Sequence, residues 1–382
     1  MATALRPGLA DELRAYGAED VDKCFNCGTC SAVCVHSEAP YVLPRRPIHN
    51  LQLGLESRLQ GSLEPWLCYY CGECSEQCPK EAEPGETMMS LRRWLTAEYD
   101  FTGLSRLFYR SWKAELATIV LLALVTGAGF LGVGFSHGDI HHYDGPTAFL
   151  PAGGWTGGVH LFDWGMAGVL LVLLLTNAAR MWWFVLGRDR DHRVPLSSYL
   201  AGLYMLPLHF LTQRKYAQCE REQPWVVHLV LMASYLTMMV LIMFFLADMA
   251  SGPAIDWRVH ALGLLAAAGL LTTVIINLRG RLKRSSPHHA HSHESDWIFL
   301  ILLFYVTLTG VLQFILHRAN LDMAANIAYV SHLMGVVPML VLEVPFGKWS
   351  HMAYRPLALY LARVRQHATA AAPSAAREAR AA

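Results

Sequence analysis

The sequence predicts an all-α protein in two parts, a polar helical domain followed by a bundle of six transmembrane helices. Of 382 residues, 54% are hydrophobic and only 16% charged, which does not suit an all-soluble chain. Six stretches approach the ~20 residues that a helix needs to cross ~30 Å of hydrocarbon. Eight of the nine cysteines fall before residue 79, in two runs of identical spacing. The formal net charge of +1, with charges gathered between apolar blocks, offers no basis for binding nucleic acid.

Composition divides the chain into residues 1–112, 113–352 and 353–382. The first twenty residues are polar and carry no apolar signal core, so the amino-terminal domain is expected in the cytoplasm. A secreted disulfide framework is therefore a poor explanation for the cysteines, and metal or cluster ligation a better one. The six crossings are expected near 116–135, 162–186, 225–247, 257–278, 297–317 and 324–350, several beginning with a tryptophan suited to the headgroup layer. Segment 196–212, shorter and interrupted by Pro207, reads as an interfacial helix.

Loops bearing Arg188, Arg190, Arg193, Arg214, Lys215 and Arg221, then Arg279, Arg281, Lys283 and Arg284, then Arg355, Arg363 and Arg365, alternate with loops nearly free of Lys and Arg. This pattern predicts a multi-pass protein of the cytoplasmic (inner) membrane with both termini cytoplasmic; five or seven crossings would break the alternation. Arg180 is expected to snorkel to the headgroups. The alanine-rich end, 368–382, reads as a frayed or disordered tail with no core to pack on.

The cysteine runs are Cys24-x2-Cys27-x2-Cys30-x3-Cys34 and Cys68-x2-Cys71-x2-Cys74-x3-Cys78-Pro79. Thiolates are the ligands of iron–sulfur clusters, and three closely spaced cysteines can wrap three irons of a cube while the fourth iron takes a distant sulfur. As in two-cluster ferredoxins, the fourth cysteine of each run is expected to cross over. Cys24, Cys27, Cys30 and Cys78 then hold one 4Fe-4S cluster, and Cys68, Cys71, Cys74 and Cys34 the other. Structural zinc is the competing reading, disfavoured because four closely spaced cysteines exceed what zinc takes from one loop. Gly28 and Gly72 suit loops that bend tightly near sulfur. The intervening sequence has helical periodicity, favouring an α-helical ferredoxin-like domain. Cys219, in a charged loop, reads as an ordinary free thiol.

Histidines at membrane depth are functional candidates. A haem b between helices needs two axial ligands at one depth. His228, early in the third crossing, and His351, at the end of the sixth, form the first expected pair. His332 lies nineteen residues before His351, nearly a bilayer thickness at ~1.5 Å per residue, and would serve a second, distal haem. His260 is its candidate partner, with His160, His317 and Met238 as lesser ones. His141, His142 and His209 fall outside the hydrocarbon, and His288, His289, His291 and His293 are expected in a flexible polar connector. Glu343, read as midway along the sixth crossing between Pro338 and Pro345, would relay protons, line a quinone pocket, or bond backbone freed by the prolines. The whole predicts a conduit exchanging electrons with quinone, against which stands a redox sensor or anchor that never meets quinone.

The motifs CFNCGTCSAVC, WLCYYCGECSEQCP and EPGETMMSLRRWL resemble the cytoplasmic half of QmoC, a component of the quinone-interacting membrane-bound oxidoreductase (Qmo) complex, itself similar to the HdrC component of heterodisulfide reductase. The closing FGKWSHMAYRPLALY, with His332 upstream, resembles the gamma subunit of respiratory nitrate reductase, whose last helix supplies one ligand to each of two haems. That family takes two histidines from the matching earlier helix, whereas the third crossing here has only His228. The resemblance implies partner subunits carrying flavin and iron–sulfur centres (Qmo A- and B-like), and an electron link between quinone and adenylylsulfate reductase in sulfur metabolism. In the alternative reading the same module serves another heterodisulfide-reductase-like or dehydrogenase complex.

Overall fold

The computed structural model describes residues 5–137, 159–188, 194–219, 223–250 and 257–371, and its regular structure is helical. The described residues contain no strand, only one isolated bridge between Glu38 and Tyr41. His141, His142, Arg190, Arg193, Arg221 and the end of the chain beyond 371 lie outside the described residues, as does the His160 side chain.

The amino-terminal domain consists of α1 (Leu9–Arg14), α2 (Thr29–Ala32), α3 (Arg45–Gln52), α4 (Glu56–Gln60), α5 (Glu64–Leu67) and α6 (Glu73–Glu76) gathered round the longer α7 (Pro84–Tyr99). Pro84 suits the first turn of α7, where its missing N–H costs nothing. Met88, Leu91 and Leu95 then recur at helical spacing on its fully buried face. Helix α8 (Leu104–Arg110) leads to the first span.

The remaining helices follow as α9 (Trp112–His137), α10 (Val159–Trp182), α11 (Leu196–Gly202), α12 (Met205–Thr212), α13 (Gln223–Ala250), α14 (Trp257–Lys283), α15 (Pro287–Ala290), α16 (Glu294–Arg318), α17 (Asp322–Pro338) and α18 (His351–Ala371). Among the described residues, six are long and apolar enough to cross a membrane: α9, α10, α13, α14, α16 and α17. The 196–212 segment forms two helices, with Pro207 in the first turn of α12, where proline is tolerated.

The sixth crossing differs from expectation. Regular helix ends at Pro338, a π-turn covers Met339–Glu343, and the chain breaks at Gly347 before α18 begins at His351. Pro338 and Pro345 cannot donate backbone hydrogen bonds, so the turn widens and then stops. Glu343 consequently stands at the last turn of the crossing, not midway, and His351 opens a separate helix.

Helix α18 enters the amino-terminal core. Tyr354, Ala358 and Leu361 are buried at i, i+4, i+7 spacing, in one cluster with Leu51, Trp66, Leu95 and Tyr99. The ring of Tyr354 lies 5.0 Å from Trp66 and 5.5 Å from Tyr99. The segment from 353 to 371 is thus part of the core that supports the cysteine loops.

Three arginines fasten the helices to this domain. Arg180 Nε donates to Tyr99 O at 2.8 Å and Nη2 to Glu98 O at 3.0 Å, satisfying carbonyls at the end of α7 instead of snorkelling. Arg188 donates to Gln60 Oε1 at 2.7 Å. Arg355 donates to Trp66 O at 3.3 Å and to Cys68 O at 3.1 Å.

The histidine-rich loop is docked, not a free connector. Pro287 packs on Gly72, where an added Cβ would stand 2.2 Å away, and His291 Nε2 lies 3.3 Å from Glu83 Oε2. The buried His289 ring occupies space that only Gly280 leaves open, a Cβ there meeting it at 2.2 Å.

Tyr354→Ala should destabilise the protein by ~3–5 kcal/mol, the usual loss for a buried aromatic, measured as an earlier melting transition in detergent. Leu53→Ala, at an exposed position, should change it by no more than about 0.5 kcal/mol. Burial beside Arg281 lowers His289 to about 4, and burial beside Arg93 lowers His293 to about 4 against the opposing pull of Asp296, Glu294 and Glu86. Both contributions to stability are whole above the ordinary imidazole value and are lost as pH falls from there through about 4. Backbone amides of 286–293 should then exchange faster with solvent after correction for intrinsic pH dependence; unchanged protection across that range would contradict the docking.

Candidate metal centres

The two cysteine loops repeat one backbone recipe. Asn26 and Tyr70 each have φ 58°, Gly28 and Gly72 each φ 91°, and α2 and α6 start directly after the glycines. Left-handed residues at these points curl each loop so that its thiols turn inward, and glycine takes that conformation without penalty. Cys24, Cys27, Cys30 and Cys78 line one small cavity, with Arg45 and Lys80 at its wall. Cys34, Cys68, Cys71 and Cys74 line a second. The fourth cysteine of each run therefore lies with the other run's first three.

Backbone N–H groups point at two of the sulfurs: Tyr70 N lies 3.4 Å from Cys68 Sγ and Ala82 N 3.4 Å from Cys78 Sγ. Burial raises Cys30 to about 11 and Cys34 to about 12, a penalty on the thiolate that iron ligation would offset. The Thr29 hydroxyl pulls the exposed Cys27 the other way. Among the described residues, no three His, Cys, Asp or Glu side chains converge closely enough to hold a single metal ion. Cys219 is buried in the wall of the second cavity and packs in one contact group with Cys71, a position its remote place in the chain did not reveal.

Between the amino-terminal domain and the bundle lies a cavity of about 520 Å³. His228 of α13 and His351 of α18 line it, their ring centroids 6.2 Å apart and their planes inclined at 59°. Gln213 Oε1 lies 2.7 Å from His228 Nδ1, and Lys348 O lies 2.5 Å from His351 Nδ1. Each ring thus has an oxygen acceptor at Nδ1, which leaves Nε2 for a metal. Burial holds His351 well below the usual imidazole range, in the neutral form that ligates. Trp349 packs 4.4 Å from Tyr235 and 5.2 Å from Phe299, forming an aromatic wall. Seven Arg and Lys residues line the cavity against a single acid, Asp296.

Asp296 is the centre of a buried ionic network. It pairs with Lys348, lies 3.4 Å from Arg281 and 3.7 Å from Arg93, and Arg93 in turn bonds Glu86 at 2.8 Å. Burial lowers Lys348 to about 8 in spite of this partner. Glu343 is buried, accepts from Lys348 N at 3.0 Å, and faces the equally buried Glu115 of α9. Glu115 escaped the sequence reading, although an acid in the first turn of an apolar span is itself a signal. Gly347 must be glycine for Glu343 to curl back, since a Cβ there would lie 2.2 Å from its carboxyl.

Deeper in the bundle, His332 Nδ1 lies 3.0 Å from Val306 O, and its ring covers Gly310. His260 packs on Phe314, 5.6 Å between centroids. Gly310 and Phe314 are four residues apart on α16, so the contacts of the two rings are displaced by ~6 Å, about one turn.

Comparison with known proteins bears on the amino-terminal part. Residues 20–82 match the 4Fe-4S dicluster domain family. An HdrC-like heterodisulfide reductase protein of Archaeoglobus profundus is 32% identical over 104 residues, covering 27% of this chain and 55% of the relative. The chain thus spans about half the length of that curated relative. No solved structure matches. The chain therefore carries a 4Fe-4S dicluster domain with an electron-transfer role, similar to HdrC-like proteins of heterodisulfide reductase, joined to helices of membrane-crossing length, six among the described residues.

Proposed function

We propose that this chain is a membrane subunit passing electrons between the quinone pool and soluble flavin and iron–sulfur partners, through two 4Fe-4S clusters and one or two haems b. Cys24, Cys27, Cys30 and Cys78 would hold the outer cluster, and Cys34, Cys68, Cys71 and Cys74 the inner one. His228 and His351 would hold the proximal haem. His332 would serve a distal haem, which His260 would have to reach across one helical turn. When bound, these groups supply one-electron carriers; the chain positions them and sets their surroundings.

The observation that carries the reading is the His228–His351 pair. Metal–nitrogen bonds of ~2 Å on either side of one iron put two imidazole centroids about 6 Å apart, and these stand at 6.2 Å with both Nδ1 atoms engaged. The basic lining suits a ligand with acidic side groups such as haem propionates. Tyr69 and Tyr216, stacked at 5.1 Å, fill the space between the inner thiol cavity and His228, which lies 5.9 Å from Tyr216. Glu343 and Glu115, beside Lys348, would hold and release the protons that quinone chemistry requires.

The exposure of Phe25 and Cys27 supports the outer cavity as the side that would meet a soluble partner. Similarity to an HdrC-like heterodisulfide reductase protein favours a partner of that type. The link to adenylylsulfate reductase rests on the resemblance to the Qmo complex. The alternation of basic loops supports a cytoplasmic position for the dicluster domain and both termini.

Purified protein should contain about eight cluster irons with matching acid-labile sulfide, and one or two haems b, per chain. His351→Ala should remove the proximal haem absorbance and leave sulfide unchanged; a full haem complement in that variant would overturn the ligand assignment. A quinol analogue should reduce the haem, and Glu343→Gln should slow that reduction on the order of 10²-fold. Haem that neither quinol reduces nor quinone oxidises would sink the quinone reading.

A further inference from the structure

The inner thiol cavity holds one sulfur more than a four-iron cluster needs. Cys34, Cys68, Cys71 and Cys74 account for four ligands, yet Cys219 shares the same wall. It is buried, although it comes from the turn before α13, far along the chain from both cysteine runs. Its sulfur packs in one contact group with Cys71 and lies 3.6 Å from His36 Nε2, a range in which an imidazole N–H donates to sulfur. His36 itself packs on Tyr69, 5.1 Å between ring centroids. Tyr69, Tyr216 and Cys219 form one buried contact group, which holds the thiol against the cluster loop.

We propose that Cys219 is a reserve ligand of the inner cluster, able to take the iron otherwise held by Cys71. The exchange balances without an electron. One Fe–S bond breaks at Cys71 and one forms at Cys219, while the thiol proton passes from Cys219 to Cys71. The inference rests on the reading of Cys34, Cys68, Cys71 and Cys74 as cluster ligands. It adds a mechanical consequence, because Cys219 and Gln213 share one short segment and Gln213 holds His228 Nδ1 at 2.7 Å. A change of ligand at the cluster would pull on the segment that orients a haem-site imidazole.

Iron analysis and electron paramagnetic resonance of the purified full chain test this. Cys71→Ala should keep about eight cluster irons and a reduced four-iron signal, whereas Cys71→Ala with Cys219→Ala should lose about one iron and show an oxidised three-iron signal. A three-iron signal in Cys71→Ala alone would overturn the proposal. Cys219→Ala by itself should retain its iron but shift the g-values and midpoint potential of the inner cluster, since a thiol packed beside the ligand sulfurs tunes both. A spectrum and potential superimposable on wild type would also overturn it, whether or not the Cys71 variants accumulate. Wild-type protein lacking cluster iron would instead refute the cluster assignment on which the proposal stands.

Discussion

The architecture depends on Arg355. Its guanidinium leaves α18 to bond the carbonyls of Trp66 and Cys68, and it lies over the Tyr69 ring at 4.7 Å. His351 stands one turn earlier on the same helix, and i, i+4 spacing puts both residues on one face. The end of the chain therefore couples a cysteine loop to the histidine cavity through a single rigid turn. Hydrogen bonds from a charged donor contribute ~1.5–3 kcal/mol each, and the buried Tyr354 between these two residues keeps the turn seated in the core.

A second constraint is electrostatic. Burying Asp296, Arg93, Arg281 and Lys348 together is costly unless each charge is paired, and such pairs seldom stabilise a fold more than apolar packing would. Their value here is geometric. They join α7, α14, α16 and the turn before α18 at one point beneath the cavity, where Lys348 is drawn down toward neutrality by burial. The surplus of cations around that cavity favours an anionic occupant.

Much of the plan was legible in the chain because it is periodic. Membrane spans declare themselves through length and apolarity, and the two cysteine runs through a spacing that few other structures require. Depth alone suggested His228 with His351, and the structure brings their ring centroids to 6.2 Å. Depth failed for Glu343, because counting residues to a depth requires an unbroken helix, and Pro338 and Pro345 break this one. Composition misled at α18, where the division at residue 353 put Tyr354, Ala358 and Leu361 in the tail although they recur at helical spacing. Cys219 and Arg355 were beyond reach: each acts on a partner distant in sequence, and a single side chain carries no periodic signal.

The sequence by itself determined the helical class, the apolar stretches of membrane-crossing length, and the cysteines and histidines available as donors. These follow from local chemistry, since hydrocarbon demands internally bonded backbone and iron demands thiolate. Only the tertiary structure decided how the parts meet: that α18 belongs to the cysteine domain, that the histidine-rich loop is docked, and that a fifth thiol lines the inner cavity. Those outcomes depend on packing and buried charge between segments remote in the chain, which no local pattern encodes.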